Sequence, residues 1–176
     1  MISVGNSAFS CDGLTEINFN ATTMNDLDYR NNVFCKAGQN GNGITVNIGA
    51  NVKKIPTYLF NPTNNMSDAP KIKTIAFAKE SLCTEIGRNA FSYCDKLESI
   101  IIPVSMTNIS ENVFYYCKRL TNIYYKGSET DWNNMRISSQ GDTYFTNATR
   151  YYYSDENPIV EGNYWYYCEA GVPMSW

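Results

Sequence analysis

The chain has 176 residues, enough for one ordinary domain, and its hydrophobic share of 43% is sufficient to bury a core. Its net charge of −3 and its lack of a Lys- and Arg-rich run argue against a nucleic-acid partner. It has no histidine, so the commonest general base and the commonest imidazole ligand are missing. We therefore expect no metal and no cofactor. No apolar run reaches eighteen residues, so we also expect no membrane insertion.

The first segment begins directly with apolar residues at positions that recur later in the chain. These residues are Val4, Phe9, Cys11, Leu14, Ile17 and Phe19. We expect this first unit to expose an apolar edge, through which copies of the chain could self-associate. We also expect the chain to be truncated at its N-terminus, with any signal peptide lost together with an upstream segment.

The second and third units repeat this apolar pattern with insertions, which loops tolerate. A Gly- and Asn-rich bridge over 38–43 interrupts the second unit, and a segment with two prolines over 61–70 interrupts the third. The residues at the recurring positions are Tyr29, Val33, Phe34, Val46 and Ile48 in the second unit and Ile55, Phe60, Ile72 and Ile75 in the third.

The fourth and fifth units are the most regular, and their apolar positions recur 23 residues apart. The pairs are Ile86 and Ile109, Phe91 and Phe114, Cys94 and Cys117, Leu97 and Leu120, and Ile100 and Ile123. One such unit cannot fold alone, because fixing each backbone residue costs about 1–2 kcal/mol and each buried apolar side chain returns about 1.5–3 kcal/mol. Neighbouring units must therefore share one core, with Phe91 stacked on Phe114.

Alternating apolar residues over 97–102 and 120–125 predict short parallel strands. In the first of these segments Ile100 and Ile102 point inward, and Ser99, Ile101 and Pro103 point outward. The stretch 89–94 is too short for a long helix and predicts a single helical or 3-10 turn.

The run over 86–103 reads IG-x-x-AF-x-x-C-x-x-L-x-x-I-x-IP and is similar to the consensus of the BspA-like leucine-rich repeats of bacterial surface proteins. The resemblance covers about residues 1–127. It implies a repeat solenoid, a right-handed stack of short parallel strands joined by short helical or 3-10 turns. It also implies an extracellular or bacterial cell-surface location, adhesion to host or matrix proteins in some members, and no catalytic residues.

The period stops after Lys126, so we divide the chain into a solenoid of about five units over 1–127 and a small β-rich cap over 128–176. Ser128 with Asp131 forms a capping-box pattern that predicts a short helix with Trp132 and Met135 on one face. Two aromatic runs over 148–153 and 163–167 predict the strands of a hairpin or meander. A solenoid end needs such a cap because it leaves strand edges unpaired.

Two groups of residues in the units and the cap allow more than one interpretation. Cys94 and Cys117 should stack, and buried free thiols are favoured over a disulfide; Cys11 and Cys35 should resemble them. The cap aromatics could stack on sugar rings, with Trp165 essential, or could merely seal the cap. They are Tyr151, Tyr152, Tyr153, Tyr164, Trp165, Tyr166, Tyr167 and Trp176.

The outward positions of the strands form the candidate ligand-binding face, because they can vary without cost to the core. They are Glu16, Asn18, Thr45, Asn47, Thr74, Ser99, Ile101, Asn122 and Tyr124. The first hypothesis is a non-catalytic adhesion module that meets a host or matrix protein through this face. The second is a structural spacer that displays other domains, and the third is carbohydrate binding by the cap. No carboxylate pair or nucleophile motif indicates an enzyme.

Overall fold

The computed structural model describes residues 4–62, 66–138, 141–159, 161–168 and 173–176. Among these residues strands are far more common than helices. None of the helices in these described residues is both long enough and apolar enough to cross a membrane. In chain order the strands are β1 (Glu16–Phe19), β2 (Ile44–Ile48), β3 (Lys54–Ile55), β4 (Ile72–Phe77), β5 (Glu85–Ile86), β6 (Ser99–Ile102), β7 (Asn108–Ile109), β8 (Asn122–Tyr125), β9 (Arg136–Ile137), β10 (Thr149–Tyr153), β11 (Tyr164–Tyr167) and β12 (Pro173–Ser175). The helices are α1 (Glu129–Asn134) and α2 (Thr143–Asn147), with a 3-10 turn at Met66–Asp68.

The chain distributes these strands between two sheets. The larger sheet has the order β1-β2-β4-β6-β8-β10-β11-β12, and the smaller has the order β3-β5-β7-β9. Every strand pair in the described residues is parallel except β11 with β12. Residues at the same repeat position pair across neighbouring strands, as Ile100 does with Ile123 and Ile86 with Ile109. The predicted repeat fold of short parallel strands is confirmed.

A row of stacked phenylalanine rings runs through the core, with one ring from each repeat unit. The centroids of neighbouring rings lie 4.8 to 6.0 Å apart, within the range of favourable aromatic pairs. The rings are those of Phe9, Phe34, Phe60, Phe91, Phe114 and Phe145. Phe91 and Phe114 are fully buried and stack at 6.0 Å with their planes 5° apart. The predicted shared core is confirmed.

The segment over 89–94 does not form the predicted helical or 3-10 turn. Every second backbone N–H bonds within its own turn, and the others donate to the neighbouring unit, as Phe91 N does to Val113 O at 3.1 Å. Left-handed φ angles of 55° at Asn89 and 63° at Tyr93 interrupt any helical run. Half of the backbone N–H groups of this segment therefore donate to the neighbouring unit, and a helix would instead bond them within the segment. Short helical turns occur instead at Met66–Asp68, α1 and α2.

Two side chains have burial opposite to that predicted. Tyr29 is 51% exposed, because a turn over 28–31 directs it outward, and Leu27 packs against the core near this point. Pro103 is buried rather than outward, because β6 ends at Ile102 and the chain turns there, with Met106 N donating to Pro103 O at 3.1 Å.

The parallel pairing continues beyond Lys126, so six units stack where about five were predicted. Strand β9 extends the smaller sheet, β10 extends the larger, and Phe145 stacks on Phe114 at 4.8 Å. Helix α1 lies between β8 and β9 and lengthens the connection that leads into this sixth unit. The predicted boundary at residue 127 therefore does not coincide with the end of either sheet.

The C-terminal segment confirms the predicted helix and corrects the predicted hairpin. Ser128 caps α1 in a capping box with Asp131, and Trp132 and Met135 are buried. Strands β10 and β11 are parallel, however, and the antiparallel pair is β11 with β12. Strand β10 already pairs in parallel with β8 along its other edge, which fixes it as a further rung of the repeat.

Candidate functional site

The outward side chains of the larger sheet form two rows across the parallel strands. Strand register places Glu16, Thr45, Thr74, Ser99 and Asn122 in the first row, which continues to Thr149. The second row contains Asn18, Asn47, Ala76, Ile101, Tyr124 and Tyr151. All nine candidate residues therefore lie on one face, and we call these two rows the strand face.

One end of the strand face is polar and held by hydrogen bonds. The amide Nδ2 of Asn47 donates to Glu16 Oε1 at 2.7 Å and to Asn18 Oδ1 at 3.0 Å. The three side chains are thus fixed relative to each other across the β1–β2 pair. A fixed polar group loses less conformational entropy when a ligand binds, so this end is suited to recognising amide or hydroxyl groups.

The opposite end of the strand face is aromatic. Tyr124 stacks on Tyr151 with ring centroids 5.2 Å apart and contacts Trp165 at 5.5 Å. Burial raises the pKa of the Tyr124 phenol, and neighbouring Tyr151 adds to this. The phenol therefore stays protonated at neutral pH and can donate a hydrogen bond, while its ring offers apolar area of the kind that protein interfaces favour.

Three residues of this face are not predicted by the sequence patterns. Thr149 and Tyr151 lie in a run that predicts a hairpin or meander strand of the cap, whereas β10 belongs to the repeat. Ala76 lies between Asn47 and Ile101 in the second row. The signal that could have found Tyr151 is the match of Phe145 to Phe114. That match is masked by a 31-residue spacing, because α1 lengthens the segment between Ile109 and Ile137 and further residues are added between Ile137 and Phe145.

The proposed sugar platform of the cap is contradicted at its central residue. Trp165 is fully buried, and its indole Nε1 donates to Tyr125 O at 2.9 Å. Tyr153 and Tyr167 contact its ring at 5.1 and 4.9 Å. Trp165 therefore seals the sheet and cannot present a face to a sugar ring. Trp176, 47% exposed against Tyr166, keeps an accessible ring.

The cysteines are free thiols in the structure, and Cys83 and Cys117 are poor nucleophiles. Burial raises the pKa of Cys83 to about 11 and that of Cys117 well above its ordinary value. Cys117 Sγ donates to Phe91 O at 3.2 Å. Cys11 is exposed and Cys35 half-buried, so their expected likeness to Cys94 and Cys117 is wrong. Ala37, three residues after Phe34, takes the buried position in the second unit.

Comparison with known families gives one match, to the BspA type leucine rich repeat region. Six copies of this repeat are matched, over residues 1–67 and 44–168. The count agrees with the six stacked phenylalanine rings. Searches of curated proteins and of solved structures found no match.

Proposed function

Because the chain belongs to the BspA type leucine-rich repeat family, we propose that it is a non-catalytic binding or adhesion module of a bacterial cell-surface or secreted protein. Its ligand is a host or matrix protein, bound on the strand face. We also infer that the units wind as a right-handed solenoid, since parallel strands joined by crossovers are right-handed in about 98% of cases.

The observation that carries this proposal is the continuity of the strand face. Strands β1, β2, β4, β6, β8 and β10 present their outward side chains in register, so one surface spans all six units. That surface changes from amide groups around Asn47 to aromatic rings around Tyr124. Large continuous surfaces with aromatic anchors and a polar surround are typical of protein interfaces.

Substitutions in the middle of the strand face test the proposal. Ser99→Glu with Asn122→Glu adds bulk and charge to two neighbouring outward positions, and neither native side chain makes a hydrogen bond within the described residues. We expect at least tenfold weaker binding to wells coated with purified extracellular-matrix proteins. Thermal unfolding should stay cooperative with only a slightly lower midpoint, because the two new carboxylates lie opposite each other.

The matched control is Asn51→Glu with Thr130→Glu, two exposed positions away from the larger sheet that add the same charge. Equal binding by both double variants would contradict the proposal and favour the spacer hypothesis. The interpretation as a spacer predicts that neither pair of substitutions matters.

A further inference from the structure

A charged cleft lies at the N-terminal ends of the strands of the larger sheet. It has a volume of about 450 Å³ and lies between the bridge around Gly43 and the segments preceding β4, β6 and β8. Four cations line it, Lys71, Lys73, Lys96 and Arg119, against two anions, Asp95 and Glu98. The cleft therefore carries an excess of positive charge, although the net charge of the chain is −3. We call it the basic cleft.

Three of the four cations occupy the same position in successive units. Lys71, Lys96 and Arg119 each lie three residues before the paired strand residues Thr74, Ser99 and Asn122, and all three line the cleft, so we treat them as one column. Neighbouring rungs of a sheet are about 4.8 Å apart. Like charges at directly opposite positions destabilise a sheet, so this column costs stability unless anions face it.

The protein neutralises only part of the column. Lys71 pairs with Asp95 at 3.3 Å, whereas Lys96, Arg119 and Lys73 form no ion pair within the described residues. Lys73 is the extra residue of a bulge in β4, because Ile44 pairs with Ile72 but Thr45 pairs with Thr74. Bulges redirect side chains, and Lys73 is exposed and lines the cleft.

A second pocket of about 280 Å³ adjoins the basic cleft and shares Lys71 and Asp95 with it. Tyr93 and Tyr116 line this pocket with their ring centroids 5.6 Å apart, and Lys118 Nζ lies 4.4 Å from the Tyr116 ring. Aromatic rings give sugar rings an apolar face on which to stack. Cations and tyrosines thus follow each other along one groove.

We propose that this groove binds an acidic polysaccharide. Its carboxylate or sulfate groups pair with Lys73, Lys96 and Arg119, and a neighbouring sugar ring packs against Tyr93 and Tyr116. A column of cations at a regular spacing matches a chain that bears anions at regular intervals. The tyrosines favour a polysaccharide over an acidic polypeptide. The groove lies at the N-terminal ends of the strands and is separate from the strand face. The two ligands therefore do not compete for the same residues.

Titration of the full chain with a heparin oligosaccharide and with an oligogalacturonate tests the proposal and separates sulfate from carboxylate recognition. Neutral dextran and polyglutamate serve as comparison probes. We expect the wild type to bind at least one acidic oligosaccharide, more weakly as salt rises, and not to bind dextran. Lys96→Glu with Arg119→Glu should lower that affinity at least tenfold. The matched charge change Lys53→Glu with Lys79→Glu, at exposed lysines outside the groove, should change it less than threefold.

A substitution of Tyr116 tests whether the groove prefers a polysaccharide to a polypeptide. Tyr116 has a left-handed φ of 62°, which asparagine tolerates, so Tyr116→Asn removes the ring without straining the backbone. It should weaken oligosaccharide binding severalfold and leave any polyglutamate binding unchanged. Absence of binding to both acidic oligosaccharides, equal losses in the two charge-reversal variants, or tighter binding of polyglutamate would overturn the proposal.

Discussion

The two ends of the phenylalanine row are built differently. At the N-terminal end Phe9 is 50% exposed, and Val4, Leu14 and Met24 line an open apolar pocket of about 380 Å³ with it. At the C-terminal end the last ring, Phe145, is buried and contacts Trp132 at 6.1 Å. The first end thus shows the surface that each unit offers to a neighbour, and the second shows how such a surface is closed.

The closure at the C-terminal end is made from inserted elements and not from a separate fold. Helix α1 supplies Trp132, which is buried between Phe145 and Tyr125, and the Arg150 guanidinium lies 5.5 Å from the Trp132 ring. Strands β11 and β12 then extend the larger sheet, and β12 runs antiparallel to the other strands. The closure therefore combines an insertion before the last repeat with two strands added after it.

The largest expected effect compares an inner ring with the ring at the open end. Phe91→Ala should lower the free energy of unfolding by about 3–5 kcal/mol, because the ring is fully buried between Phe60 and Phe114. Phe9→Ala should cost on the order of 1 kcal/mol, since half of that ring already faces solvent. Urea denaturation of both variants measures the difference. Similar losses at the two positions would show that the row is not one continuous core.

A buried carboxyl group makes the closed end sensitive to pH. Asp142 precedes α2, and its Oδ2 accepts a hydrogen bond from Phe114 N at 3.3 Å, while Oδ1 has no hydrogen-bond partner among the described residues. Burial raises its pKa to about 7, outweighing the backbone hydrogen bonds that lower it. A raised pKa in the folded state means that stability present below about pH 4 is lost as the pH rises through about 7.

We therefore expect the free energy of unfolding to fall on the order of 2–4 kcal/mol between pH 4 and pH 7, at about 1.4 kcal/mol per tenfold change in the ionisation constant. Asp142→Asn keeps an acceptor for Phe114 N and removes the titration, so its stability should vary much less over this range. Asp12→Asn, at an exposed carboxylate near the open end, is the control and should keep the wild-type dependence. If the free energy of unfolding of Asp142→Asn fell with pH as steeply as that of the wild type, groups other than Asp142 would cause the pH dependence.

Much of this architecture could be predicted because its cause is local in sequence. The spacing from Phe91 to Phe114, the capping box at Ser128 and the alternation around Ile100 each report one physical requirement, and each is confirmed. The strand face was predictable for the same reason, since alternation fixes which side of the sheet a residue occupies. The nine candidate residues lie there together.

The remaining features depend on contacts between units that no single segment reveals. The aromatic sequence of β10 does not reveal whether the strand pairs with β11 in a parallel or an antiparallel direction. A hairpin is therefore as compatible with the sequence as the parallel pairing that the structure shows. The left-handed angle at Tyr93 is uncommon for that residue type, and only the ladder to the neighbouring unit explains it. The basic cleft likewise joins Lys71, Lys96 and Arg119, which lie far apart in the sequence.

The smallest expected effect is self-association through the open end. Among the residues that the structure describes, strand β1 has one unpaired edge, and the apolar surface around Phe9 is the kind of surface that each unit buries against its neighbour. A second copy can cover it around a two-fold axis, with each end burying the other. A contact confined to this pocket should be weak, because interfaces below about 1,200 Å² are those of weak complexes. We therefore expect dimers to be detectable by sedimentation velocity only at high protein concentration.

Phe9→Glu with Met24→Glu should abolish that association, because dimerisation would then bury two charges against an apolar surface. Leu82→Glu with Val104→Glu changes two exposed apolar residues elsewhere and should leave it intact. A strictly monomeric wild type, or equal loss in both variants, would show that the open end differs from the inner surfaces in more than its lack of a neighbour. Dimerisation lost only with Phe9 and Met24 would show that the two ends of the row differ mainly in whether their apolar surface is covered.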